Sequence, residues 1–154
     1  MNNTEIYKHL FDHVYMSGVE REKSRIKATG EVFTPSNTVN DILDEIEKLD
    51  PSAFTNYTKT VIDNSCGDGE MLAGALYRKL QNGIDFETAL STIYGVELQF
   101  DNVELCRKRL VCGREDLRHI VERNIVWHDA LTYDYSFNGT NKNSDEVTFD
   151  NLFG

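Results

Sequence analysis

Four short stretches of this chain hold residues whose types and spacing could do chemistry: Asp63, the turn Cys66-Gly67-Asp68-Gly69, Glu97, and His128-Asp129. Glycines at 67 and 69 carry no Cβ, so a ligand can lie against the main chain where a following helix offers unpaired N–H groups. A carboxylate such as Glu97 can accept from both hydroxyls of a ribose. Asp129 can accept from the exocyclic amine of an adenine. Asp63, beside the glycine turn, can accept from an ammonium or orient a water.

Each residue also has a plainer use. A strand-terminal Asp or Glu is commonly a helix cap or a surface charge, and a lone GxG pair is a weak signal. Cys66 reads as a small packing residue rather than a nucleophile, because no histidine lies near it in sequence. His128 reads as structural. The order and near-equal spacing of three acidic features carry the functional reading.

That spacing comes from the elements between them. Apolar residues at three-to-four spacing predict a first helix over 4–16, and a second over 37–49 after Ser36 or Asn37 as cap, with Val39, Ile42, Leu43, Ile46 and Leu49 on one face. The segment before Pro35 reads as extended. Strands are expected at 60–63, 93–97 and 124–127. Helices are expected at 70–81, 85–92 and 99–111, with a helical turn at 117–123. Strands separated by helices imply a parallel sheet with right-handed crossovers, and in such sheets ligands bind beyond the carboxyl ends of the strands. Asp63, Glu97 and Asp129 all fall at those ends.

The set suits an adenosine bearing an amino-acid-like tail, and S-adenosylmethionine fits best. Gly67-x-Gly69 lacks the third glycine of the pyrophosphate fingerprint, and no GxxxxGK[ST] occurs, which disfavours a dinucleotide or a nucleoside triphosphate.

Composition narrows the partners. With 154 residues and 40% apolar content, the chain can bury a core without staples. Its net charge of −10 disfavours unaided binding to duplex DNA, which asks for a basic face. The most basic stretch, 20–27, is mixed in sign and reads as a solvated helix face. Three cysteines without CxxC spacing point to a reducing compartment, and neither a disulfide framework nor a zinc site is expected. No signal-peptide core and no membrane-length apolar run occur, so a cytoplasmic protein is expected.

Taken together, Gly30–Pro35 (GEVFTP) ahead of a helix, Asp63–Gly69 (DNSCGDG), Tyr94–Leu98 (YGVEL) and Asn124–Leu131 (NIVWHDAL) resemble the cofactor-binding half of adenine-N6 DNA methyltransferases. The likeness is to restriction-modification and phage-type enzymes whose cofactor region precedes the catalytic one, and it spans about residues 25–135. It implies a Rossmann-like α/β sheet, cut short after about the fourth strand, behind an N-terminal helical extension. Residues 1–29 would form that extension, 30–137 the S-adenosylmethionine domain, and 138–154 a polar loop and a possible fourth strand. By the same resemblance Phe33 and Thr34 contact the methionine part, with Thr34 at its carboxylate. Asp63, Cys66, Gly67 and Gly69 line the methionine and sulfonium region. Glu97 takes the ribose hydroxyls, Leu98 packs on the adenine, and Asp129 accepts from its amine.

Two departures stand out. Asn64 occupies a position where the family usually has proline. More important, the family's catalytic Asp, Asn or Ser followed by Pro-Pro and an aromatic residue is absent, since the only prolines are Pro35 and Pro51. Val147–Gly154 (VTFDNLFG) reads as the strand that leads into that signature. Asp150 and Asn151 are poor substitutes without the di-proline and a stacking ring. Three readings follow. The chain binds cofactor and depends on a partner chain or a further C-terminal part for catalysis and DNA. It is a self-sufficient methyltransferase with unusual groups. Or it is a binding module or remnant that forms homo- or hetero-oligomers through an exposed sheet edge.

Overall fold

The computed structural model describes residues 2–11 and 36–139. The remainder of the expected first helix, the charged stretch 20–29, the extended segment 30–35 with Phe33 and Thr34, nearly all of the polar loop, and the strand expected at 147–154 lie outside the described residues.

Helix α1 spans Asn3–Phe11 and buries Ile6 and Leu10. Its cap is Asn2, whose Oδ1 accepts from the Glu5 N–H at 2.9 Å while Glu5 Oε2 accepts from the Asn2 N–H at 3.1 Å. This reciprocal pair starts the helix slightly before the expected point, because Asn satisfies orphan N–H groups as well as Thr does. Helix α2 spans Ser36–Leu49. It buries Val39 and Leu43, whereas Ile42 and Leu49 from the same expected stripe are exposed. The buried seam is therefore narrower than the apolar pattern.

From residue 61 the expected alternation holds. Strand β1 is Val61–Asp63, α3 is Glu70–Gln81, α4 is Phe86–Ser91, β2 is Ile93–Glu97 and α5 is Phe100–Val111. A 3-10 turn at Glu115–Leu117 leads into α6, Arg118–Asn124, and β3, Ile125–Trp127. Asp85 caps α4 by accepting from the Thr88 N–H at 3.1 Å. The strands pair in parallel in the order β1-β2-β3, with Asp63 opposite Gly95 and Glu97 opposite Trp127. The chain thus has the α/β architecture of a Rossmann-like methyltransferase sheet, three strands of it within the described residues.

The two faces of the sheet differ. Val61, Ile93 and Ile125 face the main core with Leu72, Leu76, Val103, Leu110 and Ile120. Val96 and Val126 face the other side, under Tyr133 with Ala130 and Phe137 packed against them. That covering is a strap rather than a helix. Tyr135 and Phe137 sit at φ of 55° and 44°, and each such non-glycine residue costs about 1 kcal/mol or more. Ring contacts offset it: Tyr94–Phe137 at 4.8 Å and Tyr133–Phe137 at 5.1 Å between centroids. Ile62, on the same face, remains 49% exposed. Val61 donates its N–H to Thr92 at 2.9 Å, so the intervening Ile62 backbone groups point away from β2. No other strand among the described residues pairs with that edge.

Gly95 is where the sheet meets the turn that follows β1. A Cβ there would lie 2.8 Å from Cys66 Sγ and 2.9 Å from Leu72 Cδ1. Gly95→Ala should therefore destabilise the chain by about 1–3 kcal/mol through overpacking, read from urea unfolding at constant m-value. An unchanged midpoint would show that the contact yields freely.

Candidate functional site

The site is built where β1, β2 and β3 end. After Asp63 the chain turns back, and the Cys66 N–H donates to the Val96 carbonyl at 3.1 Å, pinning the turn to β2. Gly67 and Gly69 then take φ of 54° and 97°, left-handed values that a side chain disfavours. Gly69 precedes the first residue of α3 without a side-chain cap.

The two glycines have different reasons. Gly67 donates its N–H to Glu97 Oε1 at 3.2 Å and is partly exposed, as a ligand-contacting position should be. Gly69 is buried, and a Cβ on it would stand 2.8 Å from Cys106 Sγ. Its missing side chain makes room for α5, whereas the sequence suggested room for a ligand.

Glu97 is only 7% exposed. Its Oε2 accepts from the Gln99 N–H at 2.8 Å and from Asn102 Nδ2 at 3.3 Å, while Oε1 holds Gly67. A buried carboxylate demands such compensation. Asp63 Oδ1 accepts from the Ser65 N–H at 3.0 Å, which shapes the start of the turn. Burial raises the Asp63 pKa above the ordinary carboxylate value, against a smaller opposing effect of that N–H.

Cys66 is buried against Cys106. The adjoining Cys106 thiol, then burial, then the nearby charges including Asp63 and Glu97, push its pKa well up. Burial likewise lifts the Cys112 thiol to about 12. A thiol held in its neutral form is a poor nucleophile, which fits the packing role read for Cys66.

The end of β3 supplies the third part. The His128 N–H donates to the Glu97 carbonyl at 3.0 Å, so His128 and Asp129 follow directly beside Glu97. His128 Nδ1 lies 3.0 Å from the Asp129 carbonyl oxygen and its ring packs on Tyr133, a structural placement. Asp129 is exposed, and its Oδ1 accepts from the Leu131 N–H at 2.9 Å, starting the strap over the far sheet face. Leu98 is 61% exposed. Its carbonyl accepts from Trp127 Nε1 at 2.9 Å, and Trp127 meets Phe100 edge-on at 5.1 Å. Leu98, Phe100 and Trp127 make an apolar shelf beside Glu97.

Asp63, Cys66, Gly67, Glu97, Leu98 and Asp129 therefore share the carboxyl edge of the sheet, with Gly69 just behind it. Phe33 and Thr34 lie outside the described residues. Sequence reasoning missed one face of α5, where Asn102, Cys106 and Arg109 are all buried. Arg109 pairs with Glu70 and lies 3.7 Å from Asp68 Oδ2, so it neutralises carboxylates on both sides of Gly69. Spacing of i, i+4 and i+7 in small or polar residues was the signal available for this face. Among the described residues, no group of three or more His, Cys, Asp or Glu is placed to hold a metal ion, and no helix is long and apolar enough to cross a membrane.

The model of the family described as N-6 DNA Methylase matches residues 7–152. No curated protein and no solved structure matches the chain.

The raised pKa of Asp63 has a consequence for stability. A carboxyl shifted upward costs stability while ionised, and the cost is relieved as pH falls through its folded-state pKa. Asp63→Asn keeps an acceptor for the Ser65 N–H and removes the charge. It should raise the thermal midpoint at pH 7, with the gain shrinking toward the ordinary value of 3.8. A lowered midpoint at pH 7 would contradict this assignment.

Proposed function

The chain belongs to the N-6 DNA methylase family, and on that premise we propose that it is the S-adenosylmethionine-binding domain of an adenine-specific DNA methyltransferase. The observation that carries the proposal is Glu97, buried at the end of β2 and hydrogen-bonded to the N–H of Gly67. It links a diol acceptor to the left-handed turn in a single contact.

The donor set fits the cofactor. Asp63, Glu97 and Asp129 are acceptors, which suits a ligand that brings hydroxyls, an amine and positive charge. Glu97 holds the ribose, Leu98 with its apolar neighbours covers the adenine, and Asp129 receives its amine. Asp63 faces the cationic end, and the Gly67 turn allows close approach. Phe33 and Thr34, ahead of α2, hold the methionine part. When bound, the cofactor supplies an electrophilic methyl group. These side chains bind and orient it.

Methyl transfer to DNA also needs a group that holds the target amine and a ring that stacks on the flipped base. The Pro-Pro-aromatic element that does this in the family is not among the 154 residues. We assign that work, and contact with DNA, to another polypeptide segment, either a partner chain or a further C-terminal part. A second reading is supported by the edge of β1, unpaired among the described residues, beside half-exposed Ile62: a cofactor-binding interaction module that adds a strand from its partner.

Calorimetry with S-adenosylmethionine tests the proposal. Saturable binding is expected below about 1 mM ligand, weakened about tenfold or more by Glu97→Ala, since a hydrogen bond to a charged group is worth about 1.5–3 kcal/mol. Absence of heat at that concentration would remove the cofactor assignment. Labelled-methyl transfer to DNA should be undetectable with the chain alone. Robust transfer by it would instead establish a self-sufficient enzyme.

A further inference from the structure

The groups that hold Glu97 come from three places, and they are not equivalent. Gly67 belongs to the turn and meets Oε1 at 3.2 Å. Gln99 lies just before α5, and its backbone N–H meets Oε2 at 2.8 Å. Asn102 lies in the first turn of α5, is fully buried, and meets the same Oε2 through its side-chain amide at 3.3 Å. A carboxylate offers about four acceptor positions, two on each oxygen. Gln99 and Asn102 hold Oε2 and Gly67 holds one side of Oε1, which among the described residues leaves the outer side of Oε1 for a ligand's hydroxyls.

The N–H groups of Gly67 and Gln99 hold one oxygen each and would still let the carboxylate plane rock about the line between them. A second donor to Oε2 from a different direction removes that freedom. Asn102 is well placed to do this, because Cys106 and Arg109 on the same face of α5 tie the helix to the turn: Cys106 packs against Gly69 and Cys66, and Arg109 pairs with Glu70.

We propose that Asn102 is a positioning residue for ribose recognition: its amide fixes the plane of the Glu97 carboxylate so that Oε1 faces the sugar hydroxyls. The inference rests on the cofactor assignment above and adds a determinant of sugar specificity within that site.

The test compares two ligands by calorimetry on the full chain: S-adenosylhomocysteine, and the same compound lacking the 2′- and 3′-hydroxyls. The unaltered chain should prefer the ribose form by about tenfold or more. In Asn102→Ala the preference should fall below about threefold, while affinity for the dideoxy form changes little. Asn102→Leu, of similar size but without the donor, should behave alike and serves where the alanine variant does not fold. A variant that weakens both ligands equally, keeping the ratio, has only a structural role and overturns the inference alone. So does an unaltered chain that binds both forms equally well. An unaltered chain that binds neither compound overturns the cofactor assignment, and this inference falls with it.

Discussion

A buried carboxylate organises this end of the molecule. Glu97 sits at the last position of β2 with 7% exposure, in surroundings where an uncompensated charge would be costly. Its compensation comes from the turn after β1, from the residue that opens α5, and from a side chain within α5. Three segments therefore cannot move independently of β2. The shape of the glycine turn is a consequence of that demand as much as of the glycines themselves. Without Glu97, the Gly67 and Gln99 N–H groups and the Asn102 amide would each have to find another acceptor or face water.

Close backbone packing makes the constraint rigid. Gly95 admits Cys66 against the sheet, and Gly69 admits Cys106 against the turn, so the two thiols meet between β2 and α5. Neither site has room for a methyl group. Charge is balanced in the same small volume. Asp63, Asp68 and Glu70, along and beside the turn, lie near Glu97 of β2 in a chain whose net charge is already −10. Arg109, itself 6% exposed, pairs with Glu70 and approaches Asp68. What remains at the carboxyl edge of the sheet is Asp63, Asp129 and the Oε1 side of Glu97, an arrangement that favours a cationic ligand with hydroxyls over an anionic one.

The residues legible in the sequence are those whose meaning is local. An apolar strand, an acid at its end, and a glycine at a required left-handed φ each announce themselves within a few positions. So β2 and α3 fall at 93–97 and 70–81 as expected, and Asp63, Glu97 and Asp129 line one edge. The reason for Gly69 was not local. It depends on Cys106 across the fold, which no pattern around residue 69 reveals. Arg109 is likewise invisible as a partner of Glu70 until α5 is laid beside α3. Ile42 and Leu49 fit an apolar stripe yet stay exposed, because α2 buries only the narrow seam through Val39 and Leu43 that meets Gly74 of α3.

The asymmetry of the sheet bears on how binding and catalysis divide. Among the described residues, the groups that hold Glu97 come from the turn, from Gln99 and from the face of α5. All of these are anchored on the helix-covered side, where the core is continuous from Ile6 to Ile125. The opposite face carries a strained aromatic strap, and among the described residues no strand lies beside the outer edge of β1. Among the described residues, the contacts that hold Glu97 come from Gly67, Gln99 and Asn102, not from that edge. The contacts that orient Glu97 and close the turn are thus mechanically separate from whatever is added beyond β1. A segment added there would leave the arrangement of Glu97 and α5 unchanged, which is what the proposed division between cofactor binding and catalysis requires.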